Sequence, residues 1–198
     1  MTNVLNENQT PDYWNDLYLK RAVLPRPVDD FEAAMLRAYT EVRPGMRALD
    51  VGCGMGELAA RIAGWGLNVT GIDFSLIAIA RANAAYRDVN AYFDVLDVNA
   101  GAIPLYLEPS SFDLICCRMS LTFLDQARFL GDVRRWLAPR GTLHVTTLVR
   151  ELAPTVTENR GMSLEEIDAL ASQWKSARRY HLENDGSVTC LVLQDEPA

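Results

Sequence analysis

The segment 46–66, MRALDVGCGMGELAARIAGWG, restricts the fold of this chain more than any other. An apolar run is interrupted by Asp50, three glycines follow at Gly52, Gly54 and Gly56, and a helical pattern begins immediately after them. Glycine permits tight turning and close approach of a ligand to the backbone. The free N–H groups of the following helix offer positive potential to an anion. The segment therefore predicts a strand, a binding loop and a helix, in that order.

Short apolar runs alternate with helical patterns from residue 47 onward, which predicts parallel strands connected by crossover helices in a three-layer α/β domain. The predicted strands are 47–52, 68–73, 90–98, 112–119 and 141–149, and the predicted helices are 57–65, 75–87, 124–139 and 163–174. Ser75 and Ser163 stand at N-cap positions, and Pro139 is expected to stop its helix. Two strand-like runs around Asp185-Gly186 predict a tight antiparallel hairpin, which brings the sheet to seven strands.

The front of the chain has a different character. Residues 10–20 predict a short helix with Thr10 as its N-cap, and 28–42 predict an amphipathic helix leading to the sheet. We expect residues 1–30 to form a helical lid and residues 31–198 to form the main domain.

Composition excludes several classes of function. The 198 residues fit one domain, and the formal charge of −7 argues against a surface that follows nucleic-acid phosphates. The sequence has no run of eighteen apolar residues and no signal-peptide pattern at its start, so we expect no membrane association. Cys53, Cys116, Cys117 and Cys190 lack zinc-site spacing, so no metal is predicted and a cytoplasmic location is expected.

The glycine spacing is informative about the ligand. A dinucleotide loop needs G-x-G-x-x-G, but Glu57 stands where its last glycine would fall and would repel a pyrophosphate. The lysine of a phosphate-binding G-K-[ST] loop is also absent. The remaining candidate is a nucleoside without phosphates that carries an amino-acid tail. A nicotinamide-dependent reductase, which would also use Tyr-x-x-x-Lys, is disfavoured.

Five segments in this order and spacing resemble the motifs of class I S-adenosylmethionine-dependent methyltransferases: ALDVGCGMGELA, VTGIDFS, FDVLDV, FDLICCRMSLTFL and LAPRGTLHV. The resemblance covers roughly residues 31 to 195. It implies a Rossmann-like three-layer sandwich, S-adenosyl-L-methionine as the methyl donor and S-adenosyl-L-homocysteine as the product. The early YWNDLY and the short chain resemble small-molecule enzymes of the thiopurine and tellurite-resistance type.

The resemblance also implies roles for individual residues. The glycine loop would lie against the methionine and ribose portions, Asp73 would accept the ribose hydroxyls, and Asp97 would face the adenine amino group. Arg118 would pair with the cofactor carboxylate or with a neighbouring acid, and Asp50 would hold the loop through backbone amides. The complete set of cofactor candidates is Asp50, Gly52, Cys53, Gly54, Gly56, Asp73, Phe74, Ser75, Asp97, Val98, Arg118 and Met119. Candidates for the lid or the acceptor pocket are Tyr13, Trp14, Tyr18, Ser120 and Arg150.

Methyl transfer from a sulfonium is an in-line displacement, in which the protein mainly aligns the reactants and excludes water. No catalytic residue is assigned, and His144 is expected to be a buried sheet residue rather than a base. The loop 150–161 and the N-terminal helix are expected to cover a small-molecule acceptor with an S, N, O or chalcogen nucleophile. A methyltransferase acting on protein or RNA and a non-catalytic binding module remain alternatives, and both a monomer and a homodimer are compatible with the sequence.

Overall fold

The computed structural model describes residues 10–20, 27–100, 102–153 and 161–195. Its helices are α1 (Pro11–Leu19), α2 (Asp30–Thr40), α3 (Glu57–Ala63), α4 (Leu76–Ala85), α5 (Gln126–Trp136) and α6 (Leu164–Ser172), with a 3₁₀ turn at Leu121–Phe123. Its strands are β1 (Arg47–Val51), β2 (Asn68–Asp73), β3 (Ala91–Val95), β4 (Phe112–Arg118), β5 (Leu137–Val149), β6 (Gly161–Met162), β7 (Ser176–His181) and β8 (Val188–Gln194).

The strands form a single twisted sheet in the order β3-β2-β1-β4-β5-β8-β7, and the short β6 pairs with the end of β5. The strands from β3 to β5 run parallel, whereas β8 is antiparallel to both β5 and β7. This is the predicted α/β sheet with its terminal antiparallel pair, but it has eight strands instead of seven, because the short β6 was not predicted. The order reverses between β1 and β4, so a crevice opens beyond the carboxyl ends of these two strands, where ligands of such sheets bind.

Two apolar clusters cover the two faces of the sheet, because successive side chains of a strand point to opposite faces. One face buries Ala48, Val69, Leu114 and Cys116 under residues of α2, α3 and α4. The other face buries Leu49, Ile72, Ile115 and Leu143 under residues of α5 and α6. The unbroken apolar run of β4 is thus explained by burial on both faces.

Local capping explains where the helices begin. Thr10 caps α1, whose first residue is Pro11, and Ser75 caps α4 by accepting from the Ala78 amide. Ser163 and Glu166 form a complete capping box at α6. These three predicted helix starts are confirmed.

Two predicted boundaries were wrong. Helix α5 ends at Trp136, and β5 begins at Leu137, so Pro139 lies inside the strand segment rather than at the end of the helix. A proline also disfavours helical backbone in the residue before it, which moves the helix end upstream. The hairpin is not a two-residue turn: Leu182 N–H still bonds Val188 O, and Asp185-Gly186 lies in the loop between them.

Candidate functional site

A cavity of about 540 Å³ lies beyond the carboxyl ends of β1, β2 and β4, under helix α1. Its lining residues are Trp14, Tyr18, Val51, Gly52, Cys53, Gly54, Met55, Glu57, Ile72, Asp73, Phe74, Leu96, Asp97, Val98, Arg118, Met119, Ser120, Phe123, Leu124 and Leu148. The tertiary structure therefore brings together most of the residues predicted from five separate segments of the chain.

The glycine loop is a close-packed turn that excludes side chains. Gly52 and Gly54 have φ angles of 69° and 54°, which favour glycine. A Cβ atom on Gly52 would lie 2.5 Å from Ser120 Cβ, and one on Gly54 would lie 2.9 Å from the Tyr18 hydroxyl oxygen. The amides of Gly52 and Cys53 both donate to Ile72 O, at 2.9 and 3.0 Å. The loop is therefore held by β2 while its surface faces the cavity.

Asp73 ends β2 at the wall of the cavity and is 6% exposed. Its Oδ2 accepts from the Gly54 amide at 3.0 Å, and its Oδ1 accepts from the Ser75 amide at 2.8 Å. Burial raises the pKa of Asp73 to about 6, although these two amide bonds act in the opposite direction. Each carboxylate oxygen has a further lone pair, so the side chain retains acceptor capacity toward the cavity.

Asp50 does not hold the glycine loop, contrary to the sequence expectation. It lies inside β1, opposite Gly71 of β2 and Cys116 of β4, and the backbone amide that favours its charged form is that of Ala59 in α3 rather than one of the loop. Among the described residues neither carboxylate oxygen makes a hydrogen bond of regular geometry. The bond to a loop amide is made by Asp73 instead. Burial raises the pKa of Asp50 to about 7, with Arg118 acting in the opposite direction. Asp50 is also absent from the described cavity lining.

The end of β4 contributes three consecutive residues to the wall. The guanidinium of Arg118 pairs with Glu32 of α2. Of the two partners considered for Arg118, a cofactor carboxylate and a neighbouring acid, the structure contains the second. Met119 has a left-handed φ of 57° and donates its amide to Thr146 O. The Ser120 hydroxyl donates to Val51 O at 3.0 Å, which ties this bend to the end of β1.

The residues after β2 and β3 form the side of the cavity that was assigned to the adenine. Phe74, Asp97 and Val98 line this side of the cavity, together with Leu96. Asp97 accepts a hydrogen bond from the Asn99 amide at 2.9 Å. Ser75 does not line the cavity, because its fully buried hydroxyl caps α4.

Helix α1 covers the cavity with two of the three predicted aromatics. Trp14 and Tyr18 line it, whereas Tyr13 does not. The Trp14 ring meets Phe123 edge-on, with centroids 5.2 Å apart. Burial and the nearby charge of Asp73 raise the pKa of Tyr18, so its hydroxyl remains protonated. The spacing i, i+4 places Trp14 and Tyr18 on one helix face, which is the observed arrangement.

Arg150 lies away from the cavity wall and pairs with Glu166 of α6 at 2.9 Å. Most of the loop 150–161 that was expected to cover the acceptor lies outside the described residues. His144 is buried in β5, where its Nε2 lies 2.7 Å from the Tyr180 hydroxyl. Burial lowers the pKa of His144 to about 3, so the ring is neutral.

Several residues that line or support the cavity were not singled out from the sequence. Phe123, Leu124 and Leu148 were treated only as parts of longer motifs, and no pattern singled out Glu32 or Asn15. Glu32 stands in the first turn of a helix, where an acid is common for dipole reasons alone. Glu32 differs from an ordinary first-turn acid in being buried, which is a property of the folded structure.

The residues present fit the predicted cofactor. The glycine loop offers bare backbone, Asp73 offers acceptor oxygens, and Phe74, Leu96 and Val98 offer an apolar surface. In the described residues no group of three or more His, Cys, Asp or Glu could hold a metal ion. Across the same ranges no helix combines the length and apolar character needed to cross a bilayer.

Comparison with known proteins identifies relatives among methyltransferases. Residues 49–145 match a family described as a methyltransferase domain. Over 110 residues the chain is 36% identical to the ubiquinone biosynthesis O-methyltransferase of Xanthomonas campestris pv. campestris (strain B100), an alignment that covers 54% of this chain and 45% of that protein. The chain thus spans about half the length of the curated relatives it matches.

Two solved structures show the same fold. Phosphoethanolamine N-methyltransferase 2 of Haemonchus contortus, in complex with S-adenosyl-L-methionine, superposes with a TM-score of 0.65 at 22% identity and covers 89% of this chain and 44% of its own. A TehB-like SAM-dependent methyltransferase from Corynebacterium glutamicum has a TM-score of 0.63 at 20% identity, with 93% and 95% covered. At these identities the likeness concerns the fold, and the thiopurine or tellurite-resistance subtype stays a prediction.

Proposed function

We propose that this chain, whose residues 49–145 match a methyltransferase domain, is a class I S-adenosylmethionine-dependent methyltransferase. It would transfer a methyl group from S-adenosyl-L-methionine to a small molecule. The observation that carries the proposal is the bare glycine loop beside the buried carboxylate of Asp73, at the crevice where the strand order reverses. Such a crevice is where open α/β sheets bind their ligands.

The cofactor would be held by residues on three strand ends. The loop at Gly52 and Gly54 would lie against the methionine and ribose portions, because only bare backbone permits that approach. Asp73 would accept hydrogen bonds from the ribose hydroxyls. Phe74 and Val98 would pack on the adenine ring, with Asp97 beside its amino group.

When bound, the cofactor supplies a methyl group that its sulfonium charge has already activated for displacement. The chain's own residues would then position the acceptor and keep water out. Trp14, Tyr18 and Phe123 cover the cavity with aromatic surface. The Tyr18 hydroxyl stays protonated and therefore acts as a hydrogen-bond donor rather than a base.

The acceptor would be a small molecule with an apolar part. Leu124, Leu148 and Met119 give the cavity apolar walls, and its volume suits a cofactor together with a small acceptor. The net charge of −7 disfavours a nucleic-acid substrate. Relatives named as O-methyltransferases of ubiquinone biosynthesis are consistent with a small-molecule substrate. Of the predicted lid, residues 1–30, the segments 1–9 and 21–26 lie outside the described residues, and we propose that helix α1 covers this site.

Isothermal titration tests cofactor binding. S-adenosyl-L-methionine and S-adenosyl-L-homocysteine are expected to bind, NADH is not, and Asp73→Ala should weaken binding at least about tenfold by removing a charged acceptor. Asp88→Ala, at an exposed position after α4, is the matched control and should bind as the wild type does. Binding of NADH without binding of the methyl donor would overturn the proposal.

Label transfer tests the acceptor class. The wild-type protein is incubated with methyl-labelled cofactor and an extract separated into metabolite, RNA and protein fractions. Label in the metabolite fraction is the expected result. Label confined to protein or RNA would favour a macromolecular methyltransferase, and cofactor binding without any transfer would favour a non-catalytic module.

A further inference from the structure

Asn15 connects helix α1 to the start of helix α4. Its side-chain Oδ1 accepts a hydrogen bond from the Ser75 hydroxyl at 2.7 Å and one from the Ile77 amide at 3.3 Å. The Ile77 amide belongs to the first turn of α4, where backbone N–H groups have no partner within the helix. Asn15 therefore completes the cap of a helix that lies 60 residues further along the chain.

The same contact leads directly to the binding carboxylate. The Ser75 amide donates to Asp73 Oδ1, and the Gly54 amide donates to Asp73 Oδ2. The Tyr18 hydroxyl of α1 lies over Gly54. Asp73 thus accepts hydrogen bonds from Ser75 and from the glycine loop, and helix α1 contacts both of them. Asn15 of α1 contacts Ser75, and Tyr18 of α1 contacts the loop.

Helix α1 needs such contacts to stay in place. It has nine residues, and a helix of this length is marginal in water without tertiary packing. Its Tyr18 is buried, and its Trp14 packs edge-on against Phe123. These aromatic contacts fix one side of the helix, and the Asn15 bonds supply directional attachment at α4.

We propose that Asn15 is a positioning residue that holds α1 over the cavity and thereby sets how long the cofactor stays bound. The inference rests on the proposed function for the identity of the ligand. The structural effect does not depend on which ligand binds. Loss of the Asn15 Oδ1 acceptor loosens α1 and leaves the sheet and the glycine loop intact.

Three variants isolate the contact. Asn15→Leu removes the acceptor at similar volume. Asn15→Asp keeps an oxygen acceptor and places negative charge at the N-terminus of α4, where it is favourable. Asp16→Ala is the control from the same helix, because Asp16 is exposed and, in the part of the chain that the structure describes, its carboxylate pairs with Lys20 at i+4.

Two measurements compare the variants with the wild type: the rate of ligand release and the rate of amide hydrogen exchange. In stopped-flow experiments with S-adenosyl-L-homocysteine, Asn15→Leu should release the ligand about tenfold faster, as expected for two lost hydrogen bonds. Asn15→Asp and Asp16→Ala should stay within about threefold of the wild type. In the ligand-free protein, hydrogen exchange in α1 should be faster in Asn15→Leu, with exchange in β1 unchanged.

The outcomes separate the two proposals. If the wild type fails to bind S-adenosyl-L-homocysteine, the proposed function fails, while hydrogen exchange still decides whether Asn15 holds α1. If the wild type binds but Asn15→Leu matches Asp16→Ala in both measurements, the role of Asn15 is overturned and the proposed function stands. Equal loss in Asn15→Leu and Asn15→Asp would likewise overturn it, because the acceptor oxygen would then be irrelevant. Faster exchange in β1 as well would mean general destabilisation and would contradict the role.

Discussion

The carboxylate of Glu32 in α2 receives two hydrogen bonds from the guanidinium of Arg118 at the end of β4, from Nε at 2.6 Å and from Nη2 at 2.9 Å. The two side chains retain only 3% and 14% exposure, respectively. The pair joins a helix that precedes the sheet to a residue that lines the cavity. A bidentate geometry of this kind fixes orientation as well as distance.

Glu32→Gln should destabilise the protein by about 3 kcal/mol, because the buried guanidinium would then face a neutral amide. Urea unfolding at neutral pH measures the change. Asp168→Asn, which removes the exposed partner of Arg179, is the control and should cost less than about 1 kcal/mol. Equal effects of the two substitutions would show that the buried pair contributes no more than a surface pair.

Gly52→Ala should be more destabilising than Gly45→Ala, although both glycines have positive φ angles, 69° and 90°. A Cβ at position 45 meets no atom within 4 Å, so only backbone strain of about 1 kcal/mol is expected there. At position 52 the Cβ meets Ser120, which adds about 2 kcal/mol of overpacking. Thermal unfolding of the two variants separates the cost of backbone strain from the cost of overpacking. Equal losses of stability would contradict the close approach of Ser120 to the loop.

Asp50→Asn should change the pH dependence of stability. The pKa of Asp50 is raised from 3.8 to about 7 by burial, so its contribution is fully present below pH 3.8 and is lost as the pH rises through 7. The asparagine variant does not titrate. Relative to the wild type, it should therefore gain about 3 kcal/mol between about pH 5 and about pH 8.

Urea unfolding of the ligand-free protein at both pH values measures this difference. Taking the difference between the two proteins removes the opposite contribution of His144, whose pKa of about 3 makes folding less favourable as the pH falls below 6.5. A constant difference between the variants across this range would mean that Asp50 is ionised in the folded protein.

Tyr180→Phe should destabilise the protein by about 2 kcal/mol, because it removes the partner of His144 Nε2 in a buried site. The Nδ1 atom already lacks a partner among the described residues, so both polar atoms of the ring would then be unbonded. Tyr92→Phe, at a position 56% exposed, is the control and should change stability by less than about 0.5 kcal/mol. A stable Tyr180→Phe variant would indicate that water reaches the ring.

The order of elements was predictable because it depends on local patterns. The apolar runs and helical periods gave β1, β2 and β4 to within a residue or so at each end, and side-chain caps gave the starts of α1, α4 and α6. Asp73 and Phe74 were assigned from the resemblance of VTGIDFS to a methyltransferase motif, and both line the cavity.

Three site assignments depended on tertiary packing that the sequence does not show. Asp50 and Asp73 are both acids at the end of an apolar run, but Asp50 lies within β1 between two neighbouring strands, and only Asp73 reaches a loop amide. Ser75 was assigned to the cofactor, yet its hydroxyl caps α4 and donates to Asn15. Arg150 was assigned to the acceptor pocket, yet it pairs with α6.

The sequence alone thus determined the α/β architecture and the bare loop at Gly52 and Gly54, because periodicity and glycine spacing are local properties of the chain, while Asp73 was assigned through a family resemblance. Only the tertiary structure decided that Glu32 belongs to Arg118 and that Asn15 belongs to Ser75. Neither pair has a sequence signal, since each forms between side chains that come together only after the helices pack on the sheet.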